Sequence, residues 1–107
     1  MNTFHNNLGD TWKDRSLPEQ MANIGAEVGR SLNWRKKGNP QMSTNAFYRA
    51  LELFDCTVAD KKNKDRLSEI LRVREFYVDY MIGENQYQFT DEAWEKYFLY
   101  FTIAARS

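Results

Sequence analysis

Four charged side chains carry the sharpest chemical promise in this sequence: Glu27, Arg30, Arg74 and Asp79. Arg74 falls on an apolar helical stripe, between Leu71 and the Tyr77-Val78 pair, where an unpaired charge is costly. It requires a carboxylate, and Glu27, Glu52, Asp55, Glu75 and Asp79 are the candidates. Pairs of this kind are more often structural than catalytic. A functional version would occupy a cleft lined by Glu27, Arg30, Arg74 and Asp79. Carboxylates there could hold a hard cation such as Mg²⁺, but no spacing specifies one. We therefore expect no catalytic residue, no metal and no cofactor.

Other chemistries lack their parts. A catalytic metal site in a bundle needs Glu-x-x-His pairs on facing helices, whereas the single histidine, His5, lies near the start of the chain. The same shortage removes Ser-His-Asp and Cys-His constellations and the Arg-to-His motif of HEPN-type helical ribonucleases. Cys56, the only cysteine, has no partner to activate it and reads as a small, partly buried hydrophobe. Gly25 and Gly29, with Ala22 and Ala26, form a small-residue groove that lets another helix approach closely, which is a simpler reading than a phosphate loop. Trp34 beside Arg35-Lys36-Lys37 invites a nucleic-acid reading, because bases stack on aromatic faces. Balanced net charge and nearby acids make a solvated helix end the better reading, and nucleic acid is not the expected partner.

Four helical segments position these residues. The first opens on Ser16-Leu-Pro-Glu19, a capping box with proline in the first turn. It carries Leu17, Met21, Ile24, Val28 and Leu32 at three- and four-residue steps and stops at Arg35-Lys-Lys-Gly38-Asn-Pro40. A second helix starts near Ser43 or Thr44, carries Phe47, Ala50, Leu51, Phe54 and Val58, and ends around Asp60. Asn63 or Asp65 can cap a third, in which Leu67, Ile70, Leu71, Tyr77, Val78 and Met81 share a face up to Gly83. Thr90 caps a fourth, with Asp91, Glu92 and Glu95 suiting the positive end of its dipole. Tyr97–Ile103 is also rich in strand-favouring residues, but a lone strand would have nothing to pair with, so helix is preferred. Short connections then predict an all-α, antiparallel up-down-up-down four-helix bundle over residues 16–107, behind a partly ordered polar leader, residues 1–15.

Sixteen aromatic residues are many for 107, and ten lie between Phe76 and Phe101. Phe76 and Tyr80 fall off the main stripe of the third helix, and only Thr102 interrupts the apolar and aromatic run from Tyr97 to Ala105. A helix apolar nearly all round must be covered on more than one side. The expected cover is a second copy, with Phe76, Tyr80, Tyr97, Tyr100 and Phe101 at a homodimer interface. The rival cover is the leader, where Phe4, Leu8 and Trp12 recur at four-residue spacing.

Fifteen Lys and Arg balance fifteen Asp and Glu, which removes the electrostatic footprint of a dedicated nucleic-acid or anionic-membrane binder. One cysteine cannot make an internal disulfide or a multi-cysteine zinc site. No apolar run approaches the roughly 18 residues of a membrane span, and the start Met1-Asn-Thr-Phe-His is not a signal peptide. A soluble, cytoplasmic single domain is the expectation.

The strings Leu17-Pro-Glu-Gln-Met-Ala-Asn-Ile-Gly-Ala-Glu-Val-Gly-Arg30, Phe47-Tyr-Arg-Ala-Leu-Glu-Leu53, Arg72-Val-Arg-Glu75 with Asp79, and Glu95-Lys-Tyr-Phe98 with Ala104-Ala-Arg106 together resemble a family of small bacterial helical proteins without an assigned activity. The resemblance covers roughly residues 11–106 and implies a bacterial, cytoplasmic helical protein. It raises interest in Glu27, Arg30, Arg49, Arg74, Glu75 and Asp79 without giving them roles. Function is thus expected to be a non-enzymatic, homodimeric protein-interaction module. The alternative is a nucleic-acid- or nucleotide-related helical domain, like HEPN or nucleotidyltransferase-partner bundles in architecture alone.

Overall fold

The computed structural model describes residues 11–106. These residues form four α-helices, α1 (Leu17–Lys36), α2 (Pro40–Ala59), α3 (Leu67–Ile82) and α4 (Asp91–Ala105), with a 3-10 helix, Lys61–Arg66, between α2 and α3. No strand occurs among the described residues, so the Tyr97–Ile103 run is helical.

Local signals account for most boundaries. Ser16 Oγ accepts from the Glu19 amide at 3.2 Å while the Glu19 carboxylate accepts from the Ser16 amide at 2.8 Å, closing the capping box. α1 stops at Gly38, whose φ of 77° is strained for a side-chain-bearing residue. α2 begins earlier than Ser43. Asn39 accepts from the Met42 amide at 3.1 Å, so Pro40, expected only to stop α1, is also the first residue of α2. Neither Asn63 nor Asp65 caps α3, which has no side-chain cap; Asp60 caps the 3-10 helix instead, and Asn63 is buried. Thr90 Oγ1 accepts from the Ala93 amide at 3.1 Å and starts α4 as expected.

α1 is the central element and packs along both α2 and α4, while α3 packs on α2. The core joins Met21, Ile24, Val28 and Leu32 of α1 to Phe47, Ala50 and Phe54 of α2, Ile70, Val73 and Tyr77 of α3, and Trp94, Phe98 and Phe101 of α4. The inward face of α3 therefore centres on Ile70, Val73 and Tyr77, and Leu71 is exposed. That rotation moves Val73 and Phe76 toward α4 and carries Arg74 to the edge of the packed face.

Trp12 is only 2% exposed and belongs to this core. Its indole N–H donates to Thr57 Oγ1 at 3.0 Å, and its carbonyl accepts from Gln20 Nε2 at 2.9 Å. Phe4, Leu8 and His5 lie outside the described residues.

Candidate functional site

The four charged residues of the expected cleft are placed separately. Glu27, 8% exposed, pairs with Arg30 at 3.0 Å and with Arg49 of α2 at 3.3 Å. Arg74 pairs instead with Asp55 of α2, Nε to Oδ1 at 2.9 Å, and their side chains are 32% and 63% exposed. Because α3 is rotated, this pair sits at the surface, where such contacts stabilise by about 0.2–1 kcal/mol. Asp79 accepts from the Gln86 amide at 2.7 Å and so folds the loop after α3. Only Glu27 and Arg30 of the four meet. Among the described residues no group of three or more His, Cys, Asp or Glu side chains is arranged to hold a metal ion. Burial, and then the charges of Asp55 and Glu52, push the Cys56 thiol up, away from the reactive thiolate.

The rings expected at an interface are mostly covered by the chain itself. Phe101 is 4% exposed and belongs to the core, because it lies one turn beyond Phe98 on the inward side of α4. Phe76 is half-buried beneath the loop joining α3 to α4, with ring centroids 4.3 Å from Tyr87 and 5.4 Å from Phe89. Asn85 organises that loop: its Nδ2 donates to the Phe89 carbonyl and its Oδ1 accepts from the Phe89 amide, each at 3.0 Å. Tyr80 donates to Asp91, and the Arg35 guanidinium lies 4.8 Å from its ring centroid. Burial, followed by the Asp91 carboxylate, pushes the Tyr80 hydroxyl up to about 12. Tyr97 is likewise raised, by burial first and then by Glu69, to which it donates at 3.3 Å. Of the five, Tyr100 is the exposed one, at 67%.

Two apolar surfaces stay open among the described residues: one where Tyr48 of α2 and Ile82 of α3, 59% and 71% exposed, flank a shared groove, and a face made by α1 and α4. Leu99 and Ile103, one turn apart on α4, are 54% and 59% exposed. Beside Leu99 runs a groove of about 280 Å³ lined by Ala22, Gly25, Ala26 and Gly29 of α1 with Phe98, Leu99 and Thr102 of α4. Gly25 explains its depth: a Cβ there would lie 2.6 Å from Phe98 Cβ, so only glycine lets the helices approach this closely. At Gly29 a Cβ would meet nothing within 4 Å, and the groove is open above it. Arg30, Asn33 and Lys36 from α1 and Glu95 from α4 line its continuation. The face is thus apolar at one end and carries charges of both signs at the other.

The basic clusters do not merge into a strip. Arg35 and Lys36 reach Asp91 at 3.4 and 3.8 Å, Lys62 is paired with Asp60, and Arg66 meets Glu69 at 2.6 Å. Lys37 lies 5.2 Å from the Trp34 ring centroid and covers that ring itself.

A buried polar network completes the list of unusual features. Gln20 Nε2 donates to Asp60 Oδ2 at 2.8 Å, Asn63 Nδ2 donates to Gln20 Oε1 at 2.8 Å and to the Thr57 carbonyl at 2.9 Å, and all three side chains are buried. Lys62 Nζ, paired with Asp60, also donates to the Lys13 carbonyl at 3.0 Å. Its sequence signal is a polar residue on an apolar stripe: Gln20, Ile24, Glu27 and Ser31 share one helical face. The network fastens residues 12–13 to α1 and to the α2–α3 connection, and each polar atom it uses has a protein partner, so its role is structural.

No family model matches this chain, no curated protein matches it, and no solved structure matches its fold.

Proposed function

We propose that this chain is a protein-interaction module with no catalytic chemistry of its own, acting as a homodimer in the bacterial cytoplasm. Its architecture is read as an antiparallel up-down-up-down bundle. Pairs along neighbouring helices support that order: Glu27 with Arg49 and Ser31 with Ser43, Phe47 with Tyr77 and Asp55 with Arg74, Gly25 with Phe98 and Arg35 with Asp91. In each set, position rises along one helix as it falls along the other.

The observation that carries the functional reading is the α1–α4 face, where Leu99 stands exposed beside an open small-residue groove, with Ile103 exposed one turn further along α4. Exposed apolar side chains gathered beside a concave apolar surface mark interaction sites more often than isolated ones do. No helix among the described residues is long and apolar enough to cross a membrane, so a bilayer core does not supply the cover. The nucleic-acid alternative gains nothing from the geometry, because the cations that prompted it are engaged by carboxylates or by Trp34. Sedimentation equilibrium over a dilution series, beside a low-salt titration with single-stranded RNA, tests the two readings together. Self-association without RNA binding supports the module. A single-chain species that binds RNA tightly, with binding lost in Arg35→Ala, overturns it.

A further inference from the structure

The α1–α4 face carries a small-residue stretch and an apolar ridge at one end and charges of both signs at the other. Within one chain Gly25 lies level with Phe98 and Arg35 level with Asp91. A two-fold axis lying in the plane of this face, along the helices and between α1 and α4, carries α1 of each copy over α4 of the other without changing its level. Leu99 of one copy then stands over the Ala22-Ala26 stretch of its partner, where the groove has room for it. At the other end the partner's Arg30 and Lys36, more than half exposed beside their own Glu27 and Asp91, come over Glu95, which has no ion-pair partner among the described residues of its own chain. Symmetry makes both contacts twice, as an isologous interface requires. Shape and charge therefore agree on one register. A face bearing only apolar residues would fix none.

We propose that the second copy docks in this arrangement, Leu99 of each chain's α4 packed on the small-residue stretch, residues 22–26, of the other's α1. The inference rests on the homodimer reading above and adds its geometry. A foreign helix in the groove is the competing occupant, and chemical crosslinking separates the two. In a Cys56→Ser background, Ala26→Cys and Leu99→Cys are made as single variants in chains of different tag length, then mixed and oxidised. A disulfide forms only when the two Cα atoms come within about 7 Å. Both positions are exposed within the single chain, so the variants should keep the parent helical circular dichroism.

The expected result is a covalent mixed-tag dimer, several-fold more abundant than the dimer from either variant oxidised alone, and suppressed by high salt. A chain that is dimeric by light scattering yet yields no mixed disulfide overturns the docking geometry and leaves the homodimer standing. So does a Leu99→Cys variant that crosslinks to itself as well as the mixture does. A chain that is monomeric throughout overturns both.

Discussion

Gly25 of α1 and Phe98 of α4 are in such close contact that a methyl group on Gly25 would lie 2.6 Å from Phe98 Cβ and 2.8 Å from its Cγ. The ring it would meet is buried in the core and cannot swing away. This contact sets the spacing of α1 and α4, and so the shape of the face between them.

Gly25→Ala should therefore destabilise the fold by about 1–3 kcal/mol through overpacking, despite the gain in helix propensity. Gly29→Ala meets no neighbour and should stabilise the chain by about 0.5–1 kcal/mol. Urea denaturation of the two variants gives opposite signs if the groove is built as described. Equal signs would show that the two glycines share one environment.

Trp12 should matter as much as any residue of the four helices. Trp12→Ala removes a buried indole and leaves a cavity, at a cost of about 3–5 kcal/mol. Trp12→Phe keeps most of the ring and loses the bond to Thr57, costing about 1 kcal/mol beyond the volume change. Thermal melts of both variants check the ordering.

Asp60 gives the fold an acid-sensitive point. Burial alone would raise its carboxyl, but hydrogen bonds from Lys62 and Gln20 outweigh that and hold it below its ordinary value. Since the folded value is the lower one, its contribution is fully present above about pH 4 and is lost as pH falls through the folded value. Asp60→Asn should thus be less stable than the parent near neutrality, and the gap should close in acid. A gap independent of pH would show that the charge contributes nothing.

Asp79 and Asn85 should act together on the aromatic cover. Asp79→Ala frees the Gln86 amide and Asn85→Ala removes both bonds to Phe89. Asn85 also sits at φ 52°, which an alanine adopts less readily. Each variant should loosen the loop over Phe76, raising binding of an apolar dye such as ANS with little change in helical circular dichroism. Unchanged dye binding would mean the loop does not seal those rings.

Much of this fold is written in short-range signals. The Ser16 and Thr90 caps, the Gly38 and Gly83 stops and the stripe from Met21 to Leu32 each depend on residues within a turn or two of one another, and each is legible in the sequence. The close helix approach at Gly25 is legible too, because a glycine inside a helix asks for a reason. The start of α2 is harder: Pro40 ends one helix and opens the next, and a stop signal hides a start. Arg74 is misleading for a related reason, since a stripe of six apolar residues on α3 can centre on Ile70-Tyr77 or on Leu71-Val78, and only packing against α2 and α4 chooses. The cover over Phe76 comes from Tyr87 and Phe89, in a loop without periodicity whose shape depends on Asn85 and Asp79. The Gln20-Asp60-Asn63 network joins residues forty positions apart, and no local pattern announces it.

The most direct test of the homodimer is the solution mass of the full chain by size-exclusion chromatography with light scattering, beside Leu99→Glu. The parent should approach twice the 12.7 kDa chain mass as concentration rises, while Leu99→Glu stays at one chain mass with unchanged helicity. A parent that remains at 12.7 kDa across the whole range, or a Leu99→Glu variant that dimerises as the parent does, would contradict an interface on the α1–α4 face.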